Sequence, residues 1–286
     1  MSPPGPRVPP TVTVVGSVNL DLVARVERLP APGETLTARG VTRVPGGKGA
    51  NQALAAARLG ARVSLHAAVG DDPLAGEALT LLRAGGVDLR HIRIAAEAPT
   101  GTAMIQVDDD GETTIVIDAG ANATLAVAPE DLDADVVLTV LEVPDEAVAT
   151  AMAAPGFTVL NAAPVRPVAG DVLAGVDLLC VNAGEFGALA AHADLDDLVA
   201  VAITHGAAGA ELRRRGRVVA TVEPPPVDAV DGTAAGDAFT AALALALATG
   251  VEDEPALRRA CRAGALAATR PGAQPSLPTR QEVDVP

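Results

Sequence analysis

The sequence predicts an α/β fold: a mostly parallel central sheet with helices on both faces, and a small β lid outside it. Three observations carry this. Short β-branched runs alternate with longer Ala/Leu helical patterns, which is the mark of βαβ units. Two stretches of period-two alternation interrupt that rhythm. The chain has 286 residues, enough for one large α/β domain, and its hydrophobic share of 49% is carried by Ala, Val and Leu with no Trp or Tyr, so the core must be aliphatic and close-packed.

In chain order, the proline-rich start MSPPGPRVPP lacks an apolar h-region and reads as a disordered tail over residues 1–10, not a signal peptide. Residues 11–286 then form a single domain. TVTVVG is a buried strand, GANQALAAARLG a helix, ARVSLHAAVG a strand and DPLAGEALTLLRAGG a helix. Gly60, Gly85 and Gly86 fall where helices need a C-terminal cap. The rhythm resumes with ADVVLTVLE, DEAVATAMAA, FTVLNAAP, VDLLCVN and AVAITHG. The interrupting stretches, residues 21–44 and 101–120, alternate polar and apolar residues, and the second turns at Asp110-Gly111. Both read as half-exposed antiparallel strands of the lid. Neither a repeat of 20 to 50 residues nor a heptad pattern is present.

Composition excludes several classes of function. A net charge of -15 and an aromatic share of 1% remove the basic surface and the stacking platforms of nucleic-acid binding. The apolar run near 238–248 is shorter than the roughly 18 to 20 residues of a membrane span. Cys180 and Cys261 form neither a disulfide framework nor a CxxC pair, as in a reducing cytoplasm. His66, His91, His192 and His205 lack HExxH spacing and read as surface or core residues, not metal ligands.

Polar residues accumulate where strands end, which in α/β sheets is where ligands bind. GSVNLD delivers Asn19 and Asp21, a pattern that an Asx turn explains equally well. In PGGKGANQA, Gly47, Lys48, Gly49, Ala50 and Asn51 join a glycine loop to a helix. It is not a Walker A loop, because Gly49 and Ala50 follow the lysine. Its glycines allow close backbone approach, and Lys48 and Asn51 can hydrogen-bond hydroxyls. Glu142 closes one strand, and Asn182 with Glu185 (NxxE) closes another, although helix capping alone accounts for that pair. TxGxxG from Thr204 through His205, Gly206, Ala207 and Ala208 to Gly209 suits backbone contact with a nucleotide. In DGTAAGD the small residues Ala234, Ala235 and Gly236 open a long apolar helix, where their amides can converge on an anion beside Asp237. Capping is the plain alternative for Asp237, but it leaves the small residues unexplained.

Taken in order from Thr11 to the C-terminus, GSVNLD, PGGKGANQA, NxxE, TxGxxG, DGTAAGD and RPGAQPS resemble the ribokinase-like (PfkB-type) carbohydrate kinases, a group that includes adenosine kinase and fructokinase. The resemblance implies a ribokinase-like fold and ATP-dependent phosphorylation of D-ribose at O5. It implies that Asn19, Asp21, Gly47, Lys48, Gly49, Ala50, Asn51 and Glu142 hold the sugar, and that Asp237 is the general base. Asn182, Thr204, His205, Gly206, Ala207, Ala208, Gly209, Gly236, Asp237 and Cys261 would hold ATP. Glu185 would organise Mg2+ through water, and Asp231, Thr233, Ala267, Arg270, Gly272 and Ser276 would hold K+. It also implies a cytoplasmic homodimer paired through the lids. The short spacing from Glu185 to TxGxxG implies that one covering helix is shortened or lost. Other readings stay open: a kinase for deoxyribose, fructose or adenosine, or a catalytically silent sugar- or nucleotide-binding homologue.

Overall fold

A computed structural model describes residues 8–109 and 112–285. The disordered-tail expectation for residues 1–7 and the turn at Asp110-Gly111 lie outside the described residues. The strands are β1 (Thr11–Val15), β2 (Asn19–Arg25), β3 (Gly40–Gly46), β4 (Arg62–Gly70), β5 (Ile92–Ala95), β6 (Gly101–Val107) and β7 (Thr113–Asp118), followed by β8 (Val136–Val140), β9 (Phe157–Asn161), β10 (Leu178–Asn182), β11 (Val201–Thr204), β12 (Ala210–Arg214) and β13 (Arg217–Val222). The helices are α1 (Lys48–Arg58), α2 (Pro73–Ala78), α3 (Thr80–Ala84), α4 (Asp145–Met152), α5 (Gly170–Ala174), α6 (Ala183–Ala190), α7 (Ala235–Ala248), α8 (Asp253–Ala268), α9 (Ala273–Ser276) and α10 (Arg280–Val283).

The main sheet runs β13-β12-β11-β10-β9-β8-β1-β4-β5, parallel from β11 to β5, with an antiparallel hairpin, β12–β13, on one edge. Val12 and Val14 of β1 pack on one face with α1, α7 and α8, while Val15 packs on the other with α4, α5 and α6. Successive strand side chains point to opposite faces, so one strand feeds both cores. The aliphatic composition has a purpose here. Helix α7 is buried without interruption from Asp237 to Ala246, and its alanines let α8 lie close. A side chain at Gly264 of α8 would come within 3.0 Å of the Ala235 carbonyl.

The lid is a separate sheet of order β3-β2-β6-β7. One expectation needs correction: β2–β3 and β6–β7 are antiparallel, but β2 and β6 pair in parallel from Asn19↔Gly101 to Arg25↔Val107. Period-two alternation reports a half-buried strand whatever the direction of its neighbour. The lid also begins at Asn19 and ends β3 at Gly46, so it reaches two residues further toward the main sheet on each side than the pattern suggested. The helix expected over DPLAGEALTLLRAGG is broken at Leu79 into α2 and α3. Between α6 and β11 no helix intervenes, in line with the shortened spacing.

Candidate active site

The site forms where β1, β8, β9 and β10 end and α1 and α7 begin. At its centre lies Asp237, 5% exposed in the first turn of α7. Asn51 Nδ2 donates to its Oδ2 at 2.8 Å and Gln52 Nε2 donates to its Oδ1 at 2.8 Å. Gln52 Nε2 also donates to Asn161 Oδ1 at 2.9 Å, and Asn161 Nδ2 donates to the Cys180 carbonyl at 3.1 Å. The base candidate is therefore gripped by two adjacent residues of α1, themselves tied to the sheet. Burial raises the Asp237 carboxyl to about 6, partly opposed by Lys48 and the two amide donors.

The glycine loop explains itself sterically. Gly47 has φ 87°, and a Cβ there would meet the Asn19 amide at 2.8 Å and the Ser17 carbonyl at 2.9 Å. Gly49 packs on Gly16 so closely that a Cβ would lie 2.5 Å from the Gly16 Cα. The loop is thus pressed onto the end of β1, where Ala50 N–H donates to the Ser17 carbonyl at 2.9 Å. Glu142 accepts from the Lys48 N–H at 3.1 Å and from the Ser17 hydroxyl. Asn19 is 3% exposed and its Oδ1 accepts from Asn122 Nδ2 at 2.8 Å. Asp21 is 7% exposed and faces Gly46, where a Cβ would clash with its carboxylate at 2.1 Å. Burial, with Glu142 and Asp237 nearby, lifts Asp21 to about 7 despite Lys48. Burial opposes the charge of Lys48, yet Asp237, Glu142, Glu185 and Asp21 outweigh it and hold the ammonium above its ordinary value.

A cleft of about 280 Å³ joins this end to the nucleotide candidates, lined by Lys48, Asp237 and Gly236 on one side and Asn182, Glu185, Thr204 and Gly206 on the other. Asn182 and Glu185 form a reciprocal capping box on α6, with both hydrogen bonds at 2.8 Å, so the capping explanation is realised while both residues still line the cleft. His205, Ala207 and Ala208 are exposed and are not among the residues that line the cleft. Gly209 has φ 99°, and a Cβ there would strike the Val222 carbonyl at 2.1 Å. That glycine is required by β13 passing behind it.

Two expected residues are engaged elsewhere. Cys261 does not line the cleft: it is 5% exposed on α8 with Sγ toward the Val222 carbonyl at 3.8 Å, and burial raises its thiol to about 11. Of the three amides at the mouth of α7, that of Ala235 already donates to the Gly232 carbonyl at 3.1 Å.

Of the six residues expected to hold K+, Asp231, Thr233 and Gly272 are joined by hydrogen bonds, while Ala267 lies in the last turn of α8, Arg270 just after it and Ser276 at the end of α9. Asp231 Oδ2 accepts from the Gly272 N–H at 2.8 Å, and its Oδ1 accepts from the Thr233 N–H at 3.0 Å and from the Thr233 hydroxyl. The Asp231 N–H donates to the Ala268 carbonyl at 3.1 Å, and the Arg270 N–H to that of Ala267 at 3.4 Å. Ser276 is fully buried, its hydroxyl donating to the Ala273 carbonyl at 2.9 Å. The Arg270 guanidinium turns outward to Glu282.

Sequence reasoning missed Ser17, Gln52, Asn122 and Asn161. Only Gln52 carried a signal, as a polar residue beside Asn51 in the otherwise Ala-rich body of α1. Buried polar atoms lacking a hydrogen-bond partner are rare in folded proteins. Among the described residues they include Asp21 Oδ1, Asn51 Oδ1, Gln52 Oε1 and Gln274 Oε1, all at the lidded end, where Gln274 Nε2 reaches the Gly46 carbonyl at 3.5 Å.

Comparison with known proteins gives the same picture. The family model for "pfkB family carbohydrate kinase" matches residues 10–280. The chain is 37% identical to ribokinase of Bacillus subtilis (strain 168), covering 96% of this chain and 98% of that one. It is also 37% identical to the ATP-dependent ribose-1-phosphate kinase of Halopiger xanaduensis, covering 95% and 96%. The structure of Arabidopsis thaliana ribokinase complexed with ribose and ATP superposes with a TM-score of 0.83 at 31% identity, covering 96% of this chain and 98% of that one. With the motifs in order, the lidded parallel sheet and the cleft at the mouth of α7, the chain belongs to the pfkB family of carbohydrate kinases.

Proposed function

We propose that this protein transfers the γ-phosphoryl group of ATP to O5 of D-ribose, with Asp237 taking the proton of the attacking hydroxyl. The observation that carries the proposal is the position of Asp237, buried, held by Asn51 and Gln52, and sharing one cleft with Lys48, Asn182 and Glu185. A carboxyl near 6 is ionised at neutral pH yet basic enough to accept a proton as the hydroxyl becomes a nucleophile. Phosphoryl transfer otherwise needs chiefly positioning and charge stabilisation. The amides of Ala234 and Gly236 at the α7 N-terminus suit that second task, with Ala235 joining them if its bond to Gly232 opens.

The acceptor is read from charge and unmet hydrogen bonds. Asp21, Glu142 and Asp237 outnumber Lys48 around the sugar end, and Asp21 Oδ1 and Asn51 Oδ1 are acceptors without donors. A neutral polyol supplies hydroxyl donors to such acceptors. A sugar phosphate would add negative charge to three carboxylates, so D-ribose fits better than ribose 1-phosphate. Asn19, Asp21, Gly47, Lys48, Gly49, Ala50, Asn51 and Glu142 form the sugar end of this reading. Asn182 and the 204–209 turn form the nucleotide end.

A divalent metal accompanies ATP in such kinases and neutralises phosphate charge. Glu185, which lines the cleft, is the residue suited to Mg2+ and its waters. The oxygen-rich loops around Asp231, Thr233, Ala267, Arg270, Gly272 and Ser276 suit K+, the Asp231 carboxylate and backbone carbonyls being hard donors. For the assembly we favour a homodimer through the lids. Ile115 and Ile117 leave an apolar strip exposed on the lid face that carries Asp21, which a second lid would cover. No helix among the described residues is long and apolar enough to cross a membrane, and a cytoplasmic location belongs to this reading.

The test is a coupled assay of ATP turnover with Mg2+ and K+ over D-ribose, deoxyribose, fructose, adenosine and ribose 1-phosphate. D-ribose is expected to give the highest kcat/KM. Preference for ribose 1-phosphate, or no turnover with any acceptor, would overturn the assignment.

A further inference from the structure

Outside the kinase cleft, one more buried polar atom among the described residues lacks a partner: Nε2 of His66. His66 sits on β4 and is 4% exposed, on the sheet face away from α1 and α7. Its ring lies flat against that of His91, in the loop just before β5, with centroids 4.1 Å apart and planes 18° from parallel. Asp131, at the end of the short 3-10 turn Pro129–Asp131, completes the group. One nitrogen from each histidine and one carboxylate oxygen of Asp131 lie within 4.8 Å of one another.

Packing alone accounts poorly for this arrangement. A histidine pressed into an apolar core normally gives its second nitrogen a partner, because a stranded polar atom costs about 1–3 kcal/mol. The nearby Asp88 accepts from Arg90 through both oxygens and makes no hydrogen bond to His66 Nε2. Asp131, by contrast, is exposed and His91 half-buried, so the group opens to solvent on one side. Two imidazoles and one carboxylate, with a fourth position open to water, form a donor set for a divalent first-row cation. Ligand atoms around tetrahedral Zn2+ stand about 3.3 Å apart, and stacked rings aim their in-plane lone pairs side by side, so binding asks the half-buried His91 ring to swing off the stack while the ligand atoms close by about 1.5 Å or less, a motion open to His91 in its loop and to the exposed Asp131.

We propose that His66, His91 and Asp131 form a binding site for a Zn2+-class divalent cation, separate from the metal that accompanies ATP. Burial, with His91 beside it, holds the His66 imidazole down at about 4, although Asp131 and Asp88 pull the other way. Its ring is therefore neutral at physiological pH, as a ligand must be. The ion would tie β4 to the loop before β5 and to the 129–131 turn. It would also sit one hydrogen bond from the sugar end, because the Gly16 N–H donates to the His66 carbonyl at 3.0 Å and Ser17 follows. The expected role is a staple on the fold, not a catalytic one.

The test uses the full chain in Mg2+ and K+, titrated with Co2+ in the visible and with Zn2+ by calorimetry and thermal melting. One equivalent is expected to bind with the intense absorption of a tetrahedral Co2+ centre, displaced by Zn2+ and not by excess Mg2+. Zn2+ at a hundredfold excess over its Kd should raise Tm by about 5 °C. His91→Ala and Asp131→Asn, both on the open side, should fold normally, lose about tenfold or more in affinity, and lose the Tm rise, whereas His192→Ala should retain both. An octahedral Co2+ spectrum, no saturable binding, or undiminished affinity in His91→Ala would overturn the proposal.

Discussion

Gln52 offers the sharpest test of how the base is tuned. Its Nε2 donates to Asp237 Oδ1 at 2.8 Å and the residue is fully buried, so Gln52→Leu removes one donor from the carboxylate at nearly constant volume. A hydrogen bond to a charged group is worth about 1.5–3 kcal/mol, and each 1.36 kcal/mol corresponds to one pK unit. The loss falls on the ionised form, so the carboxyl should rise from about 6 by about 1–2 units. At pH 6.5 the ionised fraction would then fall by about 3- to 25-fold, while at pH 9 it would hardly change. The assay is the pH dependence of kcat/KM for D-ribose in parent and variant. Asp21 titrates near 7 in the same free enzyme, so the limb belongs to coupled groups, and the displacement between the two profiles is what reports on Asp237. An acid limb that moves up by a unit or more, with near-parent rates at pH 9, is expected. A uniform loss at every pH, with the limb unmoved, would show that Gln52 merely fills space and would refute the reasoning.

Four further outcomes follow from the same geometry. Asp237→Asn should lose about 10²–10⁴ in turnover while calorimetry still detects D-ribose, and near-normal turnover would remove Asp237 as base. Asp21→Asn should be the more stable protein in urea at pH 8. The parent carboxyl is raised from 3.8 to about 7, so its penalty is absent below about pH 4, grows between 4 and 7, and reaches at most about 4 kcal/mol above that; equal stability at pH 8 would contradict it. Replacing K+ with a large organic cation should lower kcat more than it raises KM, and Asp231→Ala should abolish the response to K+; a variant that still responds would separate Asp231 from the ion. Ile117→Lys, in the exposed lid strand β7, should shift sedimentation from dimer to monomer, and an unchanged boundary would place the dimer contact elsewhere.

The parts of the site that could be read in the sequence are those in which backbone geometry demands a residue type. Gly47 at φ 87° and Gly49 against Gly16 leave a visible signature, whereas a Cβ at Gly236 would meet nothing within 4 Å, so its small size answers to the cleft it lines and not to the backbone. Asp237 itself stood out because a carboxylate heads an otherwise apolar helix. Ser17, Asn122 and Asn161 left no such mark: each is a single polar residue in an apolar or loop segment, and its partner lies more than a hundred residues away in the cases of Ser17–Glu142 and Asn122–Asn19. The same limit governs the lid. Alternation told which residues form strands, while the parallel pairing of β2 with β6 depends on a crossover that alternation does not encode. Leu79 broke a helix whose periodicity runs on through it, and Cys261 turned into the core because β13 closes over its face of α8.

The electrostatics of the cleft also imply an order of events. Before any ligand binds, three carboxylates crowd one ammonium, and Asp21 at about 7 is partly protonated at physiological pH. A bound sugar donates hydroxyl hydrogen bonds to the stranded acceptors, and a donor to an ionised carboxylate lowers its pKa. Sugar binding should therefore release a fraction of a proton from the Asp21 end, draw Asp21 fully into its charged form, and leave Lys48 more tightly held. Asp237, whose two oxygens already accept from Asn51 and Gln52, has less to gain and should stay near its value until the nucleotide arrives. The lid strand β2 carries both Asn19 and Asp21, so on the proposed assignment the residues that would meet the sugar belong to the element that would close over it. On that assignment recognition of the acceptor and exclusion of water would be one movement, which would guard ATP from hydrolysis when the sugar end is empty.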